Sequence, residues 1–124
     1  MVKEKLPEDI DSLVAKLAGY SHGGWIFAEY FDEGLEAPWE EFEEELREAV
    51  EHLVEDGEVE SAREMAKLLE AQKYADALKI YFKYNPSCGE WAGFFTGCLV
   101  RAGRYDDAKE LLKFIAEITD WFDT

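Results

Sequence analysis

Apolar residues return along nearly the whole chain at steps of three and four, the spacing that collects them on one face of an α-helix. No stretch alternates convincingly with period two, so no strand is expected. The first stripe, Ile10, Leu13, Val14 and Leu17, follows Pro7, which suits a helix start because its missing N–H is not needed there. Gly19 stands where a left-handed C-terminal cap is expected. Ser21-His22-Gly23-Gly24 reads as a turn, and a short aromatic helix over 25–33 is closed by Gly34. Pro38 opens a third helix, with Glu40 and Glu41 opposing the positive end of its dipole. Its stripe is Trp39, Phe42, Leu46, Ala49, Val50, Leu53 and Val54, and Asp56-Gly57 ends it.

A fourth helix carries Val59, Ala62, Met65, Ala66 and Leu69, and a fifth, from Tyr74, carries Ala77, Leu78, Tyr81 and Phe82 up to Asn85-Pro86. Ser87-Cys88-Gly89-Glu90 has the form of a capping box. It precedes a sixth helix with Trp91, Phe94, Phe95, Cys98 and Leu99, ending at Gly103. The seventh presents Ala108, Leu111, Leu112, Ile115 and Phe122. Loops this short make antiparallel neighbours the simplest arrangement. The expected architecture is a single all-α domain, with N-terminal helices over 1–57 and helical hairpins over 58–124.

Two stretches repeat one another. Leu68 to Leu78 parallels Leu99 to Lys109, with Tyr74 and Tyr105, and Ala77 and Ala108, each 31 positions apart. A repeated helix-turn-helix buries its apolar faces by stacking each pair on the next, the Tyr wedging into the turn and the Ala letting the two helices approach. Gly103-Arg104-Tyr105-Asp106-Asp107-Ala108 resembles the Gly-x-Tyr-x-x-Ala junction of the tetratricopeptide repeat. Gln72-Lys73-Tyr74-Ala75-Asp76-Ala77 matches it except at the Gly. The resemblance covers about 58–119. It departs from the family pattern at Ala92, where a large residue is usual and Trp91 lies one place off, and at Thr96, where a small one is. The 31-residue spacing is also shorter than the usual 34. Asp56-Gly57-Glu58-Val59-Glu60-Ser61-Ala62 reads as a degenerate third junction.

The resemblance implies a short stacked array of antiparallel hairpins with an N-terminal helical cap, and a concave face that grips peptides or partner helices. By position from Ala108, it turns Glu90, Gly93, Gly97 and Arg101 toward that groove. Gly93 and Gly97 each cost a helix about 1 kcal/mol relative to Ala, so something approaches that face closely. Either the N-terminal helices of the same chain or a bound segment or second subunit meets the requirement.

Charge narrows the partners. With 29 acidic residues against 13 Lys and Arg, the net charge is −16, and the cations form no cluster. Nucleic acid and anionic membrane are disfavoured as partners. The acidity serves solubility and allows a basic partner. At 48% hydrophobic the chain is too apolar for disorder. No apolar run approaches the roughly 20 residues of a bilayer span. Residues 1–8 hold no apolar signal-peptide core, and a cytoplasmic location is expected. Cys88 and Cys98, ten positions apart, are expected as free thiols, with Cys98 packed as a small hydrophobe. The abundance of Glu, Lys and Arg is compatible with a heat-adapted source.

Candidate chemistry is sparse. Arg47 and His52 resemble the Arg-x4-His pattern of the helical nucleases called HEPN domains, which implies a ribonuclease with both residues on one face. The alternative is a solvated ion pair with neighbouring Glu. Neither His22 nor His52 follows a Glu at the spacing of di-iron bundles, so Glu41, Glu44, Glu45, Glu48 and Glu55 read as a solvated face and no metal is expected. Ser21 to Trp25 lacks the nucleophile motif that lipase-type loops require, and no phosphate-binding loop occurs, so no cofactor is expected. An aromatic surplus remains, in which Tyr81, Tyr84 and Trp91 are candidate anchors for a partner. The leading expectation is a non-enzymatic scaffold or adaptor that binds a protein segment or self-associates. The HEPN-like ribonuclease and an acidic inhibitor or antitoxin of a basic protein are the alternatives.

Overall fold

The computed structural model describes residues 7–19, 24–85 and 89–118. Among these residues the chain is all α-helical, with seven helices and no strand: α1 (Glu8–Ala18), α2 (Gly24–Glu36), α3 (Trp39–Glu55), α4 (Val59–Glu70), α5 (Tyr74–Tyr84), α6 (Gly89–Arg101) and α7 (Tyr105–Ile118). None is long and apolar enough to cross a membrane. Consecutive helices pack as α1 on α2, α3 on α4, α4 on α5 and α6 on α7, and further contacts join α1 to α7 and α5 to α7.

Three of the turns are built alike. After α3, the Glu58 N–H donates to the Leu53 carbonyl at 2.9 Å and the Gly57 N–H to Val54 at 3.0 Å. After α4, Lys73 donates to Leu68 at 2.9 Å and Gln72 to Leu69 at 3.0 Å; after α6, Arg104 donates to Leu99 at 2.9 Å and Gly103 to Val100 at 3.0 Å. This is the paired closure of a Schellman motif, which satisfies the last carbonyls of a helix and reverses the chain. Its left-handed position holds Gly57 (φ 86), Gln72 (φ 60) and Gly103 (φ 78). The degenerate junction at Gly57 therefore has the same backbone as the two clear ones. Ala62, Ala77 and Ala108, four residues beyond each closing N–H, are all buried. The two junction tyrosines differ: Tyr74 is buried, whereas Tyr105 is exposed.

Arg104 ties the second and third of these turns together. Its Nη2 donates to the Gln72 carbonyl at 2.8 Å, its Nε donates to Asp107 Oδ2 at 2.9 Å, and its guanidinium lies 4.7 Å from the Tyr74 ring centroid. Lys109 pairs with Asp9 at 2.6 Å, joining α7 to α1. Each partner stabilises the other's charge, so the Asp9 carboxyl is held below its ordinary range and the Lys109 ammonium above its own.

The centre of the molecule is α6. Every residue from Ala92 through Val100 is buried, as expected of a helix that is apolar all round. Thr96, the one buried polar side chain among the described residues, donates to the Ala92 carbonyl at 2.8 Å and so leaves no unsatisfied hydroxyl. Cys98 is a buried free thiol whose pKa burial pushes up to about 12, which makes it inert as a nucleophile.

α2 lies directly on α6. A Cβ added at Gly93 would sit 2.3 Å from the Phe27 carbonyl oxygen, one at Gly97 2.3 Å from that of Phe31, and one at Gly34 2.3 Å from that of Phe94. Three glycines thus interdigitate two backbones. Gly34 does not close α2 as expected; the helix runs through it to Glu36, because Gly34 is the point where α6 approaches. Gly24 likewise belongs to α2 rather than to a turn, pressed against the Ala18 carbonyl. Gly19 ends α1 at φ −83, so it is not a left-handed cap. Ser21, His22, Gly23, Pro86, Ser87, Cys88 and Phe122, including half of the expected capping box, lie outside the described residues.

Candidate functional site

The close seating of α2 decides what the expected groove contains. Gly93 and Gly97 face Phe27, Phe31 and Gly34 of the same chain, so that surface is consumed internally and offers no groove. Arg101, expected beside them, is exposed and donates from Nη1 to the Ala37 carbonyl at 2.9 Å, tying the end of α6 to the α2–α3 connection. α4 and α6, which a regular row of first helices would set side by side, are not among the closely packed pairs.

The aromatic candidates also separate. Tyr81 is fully buried, 5.2 Å from the Trp91 ring and 6.3 Å from that of His52, whose Nδ1 lies 3.2 Å from the Tyr81 hydroxyl. Tyr84, on another face of α5, is exposed and meets Ser61 through a 2.9 Å hydroxyl contact. With Phe82 packed against Phe95, α5 is buried on two sides, which accounts for part of the aromatic surplus. Arg47 and His52, five positions apart on α3, point about 140° away from one another around the helix. Arg47 is exposed and forms no ion pair with a described residue, so neither the shared face nor the expected pairing with Glu occurs.

Glu90 and Trp91 do come together, at a cleft between α2, α3 and the start of α6. The cleft is open to solvent, has a volume of about 120 Å³ and is lined by Tyr30 and Glu33 of α2, Glu41 and Glu45 of α3, and Glu90, Trp91 and Phe94 of α6. The spacing of each helix explains the convergence. Tyr30 and Glu33, Glu41 and Glu45, and Glu90 and Phe94 are each about one turn apart, so every helix offers the cleft one edge. The floor is packed from beneath: Trp91 lies on Phe95 at 5.4 Å and on Tyr81, while Phe94 is itself buried.

The electrostatics of the cleft are one-sided. Glu45 is half-buried; desolvation, reinforced by Glu48, Glu41 and Glu44, raises its carboxyl above the ordinary range. The Tyr30 hydroxyl is also raised, first by the charge of Glu90 and then by desolvation and by Glu33 and Glu29. No described Lys or Arg forms an ion pair with Glu33, Glu41, Glu45 or Glu90. Among the described residues no three His, Cys, Asp or Glu side chains are placed to share a metal ion.

Of the seven lining residues, Glu90 and Trp91 are candidate partner contacts in the sequence. Tyr30, Glu33, Glu41, Glu45 and Phe94 carried no local signal for it, because their meeting depends on the α2–α6 contact across about 60 residues of chain. No family model matches this chain, and no curated protein or solved structure matches it either.

Proposed function

We propose that this chain is a non-enzymatic interaction module whose docking surface is the aromatic, acidic cleft between α2, α3 and α6. The observation that carries the reading is the cleft itself: a recess floored by Trp91 and Phe94, flanked by Tyr30 and four carboxylates, left open beside a glycine face that is already filled. Rigid aromatic side chains give a partner contact area at little entropic cost, which is why interfaces favour them. The resemblance of 58–119 to tetratricopeptide repeats supports the same class of function, with the occupied surface moved from the expected concave groove to the edge of α6.

Site-specific photocrosslinking tests this directly. A photoreactive amino acid in place of Glu90 is expected to capture a defined protein from the source lysate, whereas the same group in place of the exposed Lys113 on α7 captures none. Identical capture at both positions, or none at either together with a strictly monomeric solution mass, contradicts the proposal.

A further inference from the structure

We infer that the cleft takes a cationic side chain, an ammonium or guanidinium group carried by a basic segment of a partner protein, an inference that rests on the docking role proposed above. Size is the first constraint. The recess is open to solvent on one side and holds a volume near 120 Å³, room for one side-chain head group to be seated from outside.

The walls are the second constraint. Of the three lining residues that are not carboxylates, Tyr30 and Trp91 are partly exposed at the cleft and Phe94 is buried beneath it. The face of an aromatic ring carries negative electrostatic potential and attracts a cation held over it. Charge is the third. Glu33, Glu41, Glu45 and Glu90 lie at the cleft with no described cation paired to them, and Glu45 already bears the repulsion of its neighbours. A cation entering there would relieve that repulsion. The spread of the carboxylates distinguishes the kind of cation. No three of them are placed to share one ion, so the arrangement suits an organic cation contacted on several sides better than a compact divalent metal. A net charge of −16 on the whole chain would draw a basic segment toward this surface from a distance.

Titration calorimetry on the full chain at low ionic strength tests the inference with two acetylated, amidated peptides. One carries three lysines spaced by glycines, and the other carries three glutamates in their place. The lysine peptide is expected to bind saturably at one site and the glutamate peptide not at all. E45Q combined with E90Q removes two contacts and should weaken binding roughly tenfold. E64Q combined with E70Q makes the same change in net charge on the exposed side of α4 and should weaken it less than about twofold.

Equal weakening by both pairs would mean diffuse attraction to an acidic protein, and would overturn the inference. So would a magnesium titration showing that the metal competes with the peptide and is lost with the same two glutamates. If the photocrosslink at position 90 forms while the lysine peptide fails to bind, the cleft still docks a partner but the cationic ligand is wrong. Glutamine keeps the shape of glutamate, and an unchanged far-ultraviolet dichroism spectrum separates a binding defect from unfolding.

Discussion

α6 meets α2 and α7 in two different ways. Against α2, backbone lies on backbone: Gly34, Gly93 and Gly97 leave no room for a Cβ, and the carbonyls of Phe27, Phe31 and Phe94 fill the space. Against α7, the contact is made by side chains around a Schellman turn, with Ala108, Leu111 and Leu112 buried and Gly103 needed for its φ rather than for space, since nothing lies within 4 Å of its missing Cβ. One contact depends on absent side chains and the other on a backbone conformation. A glycine therefore has opposite meanings on the two sides of the same helix, and only on the α2 side does its loss strike the packing itself.

The sharpest way to break this contrast is Gly93→Ala or Gly97→Ala. Alanine gains about 1 kcal/mol of helix propensity. The clash with a main-chain carbonyl overrides that gain, because backbone cannot swing aside as a side chain can. We expect a net loss of roughly 3 kcal/mol by urea denaturation, toward the upper end of overpacking costs. A neutral or stabilised variant would show that α2 does not sit on α6. Gly103→Ala comes next, with an expected loss of about 1–2 kcal/mol from placing a Cβ in the left-handed region. Here the loss arises without any clash, so the crystal structure of the variant should retain the α6–α7 packing.

Gln72 occupies the matching left-handed site at φ 60. Gln72→Gly should accordingly stabilise the protein, by about 0.5–1 kcal/mol in the same denaturation assay, which would establish that the two turns are equivalent in energy as well as in geometry. The smallest effect is expected at the cleft. Glu45 is raised by burial and by Glu48, so its folded form holds a proton more tightly than the unfolded chain does. Its contribution is fully present below the ordinary carboxylate pKa and is lost as pH rises through its own elevated value. Glu45→Gln should therefore stabilise the protein by a few tenths of a kcal/mol, roughly, at neutral pH. The gain should vanish in thermal melts taken at acidic pH, below the carboxylate range.

The contrast between the two contacts also marks what was legible in the sequence. The turns are legible because everything that makes them is local: a helix stripe, a Gly at two of the three left-handed positions, and an Ala at the next turn. Even the degenerate junction at Gly57 could be read from Asp56 to Ala62. The α2–α6 interlock was legible only in part. Gly93 and Gly97 announce a close approach but not its source, and Gly34 reads as a helix end because a glycine at a cap and a glycine under a neighbouring helix look alike in one dimension. The cleft was legible least. Glu90 points in sequence to a groove that α2 fills and Trp91 to an aromatic anchor, and four of the residues that complete the cleft reach it from two other helices. Arg47 and His52 show the converse, a motif in one dimension that the helix turns apart in three.

Amide and indole NMR shifts of the isotopically labelled chain test most directly whether a partner's cationic segment docks at the α2–α3–α6 cleft. On titration with the lysine peptide, saturable shifts should gather at Tyr30, Glu33, Glu41, Glu45, Glu90 and the Trp91 indole, and leave α4 and α7 unmoved. Shifts spread evenly over the acidic surface, or centred elsewhere such as on the exposed Val54, Val59 and Tyr84, would contradict it.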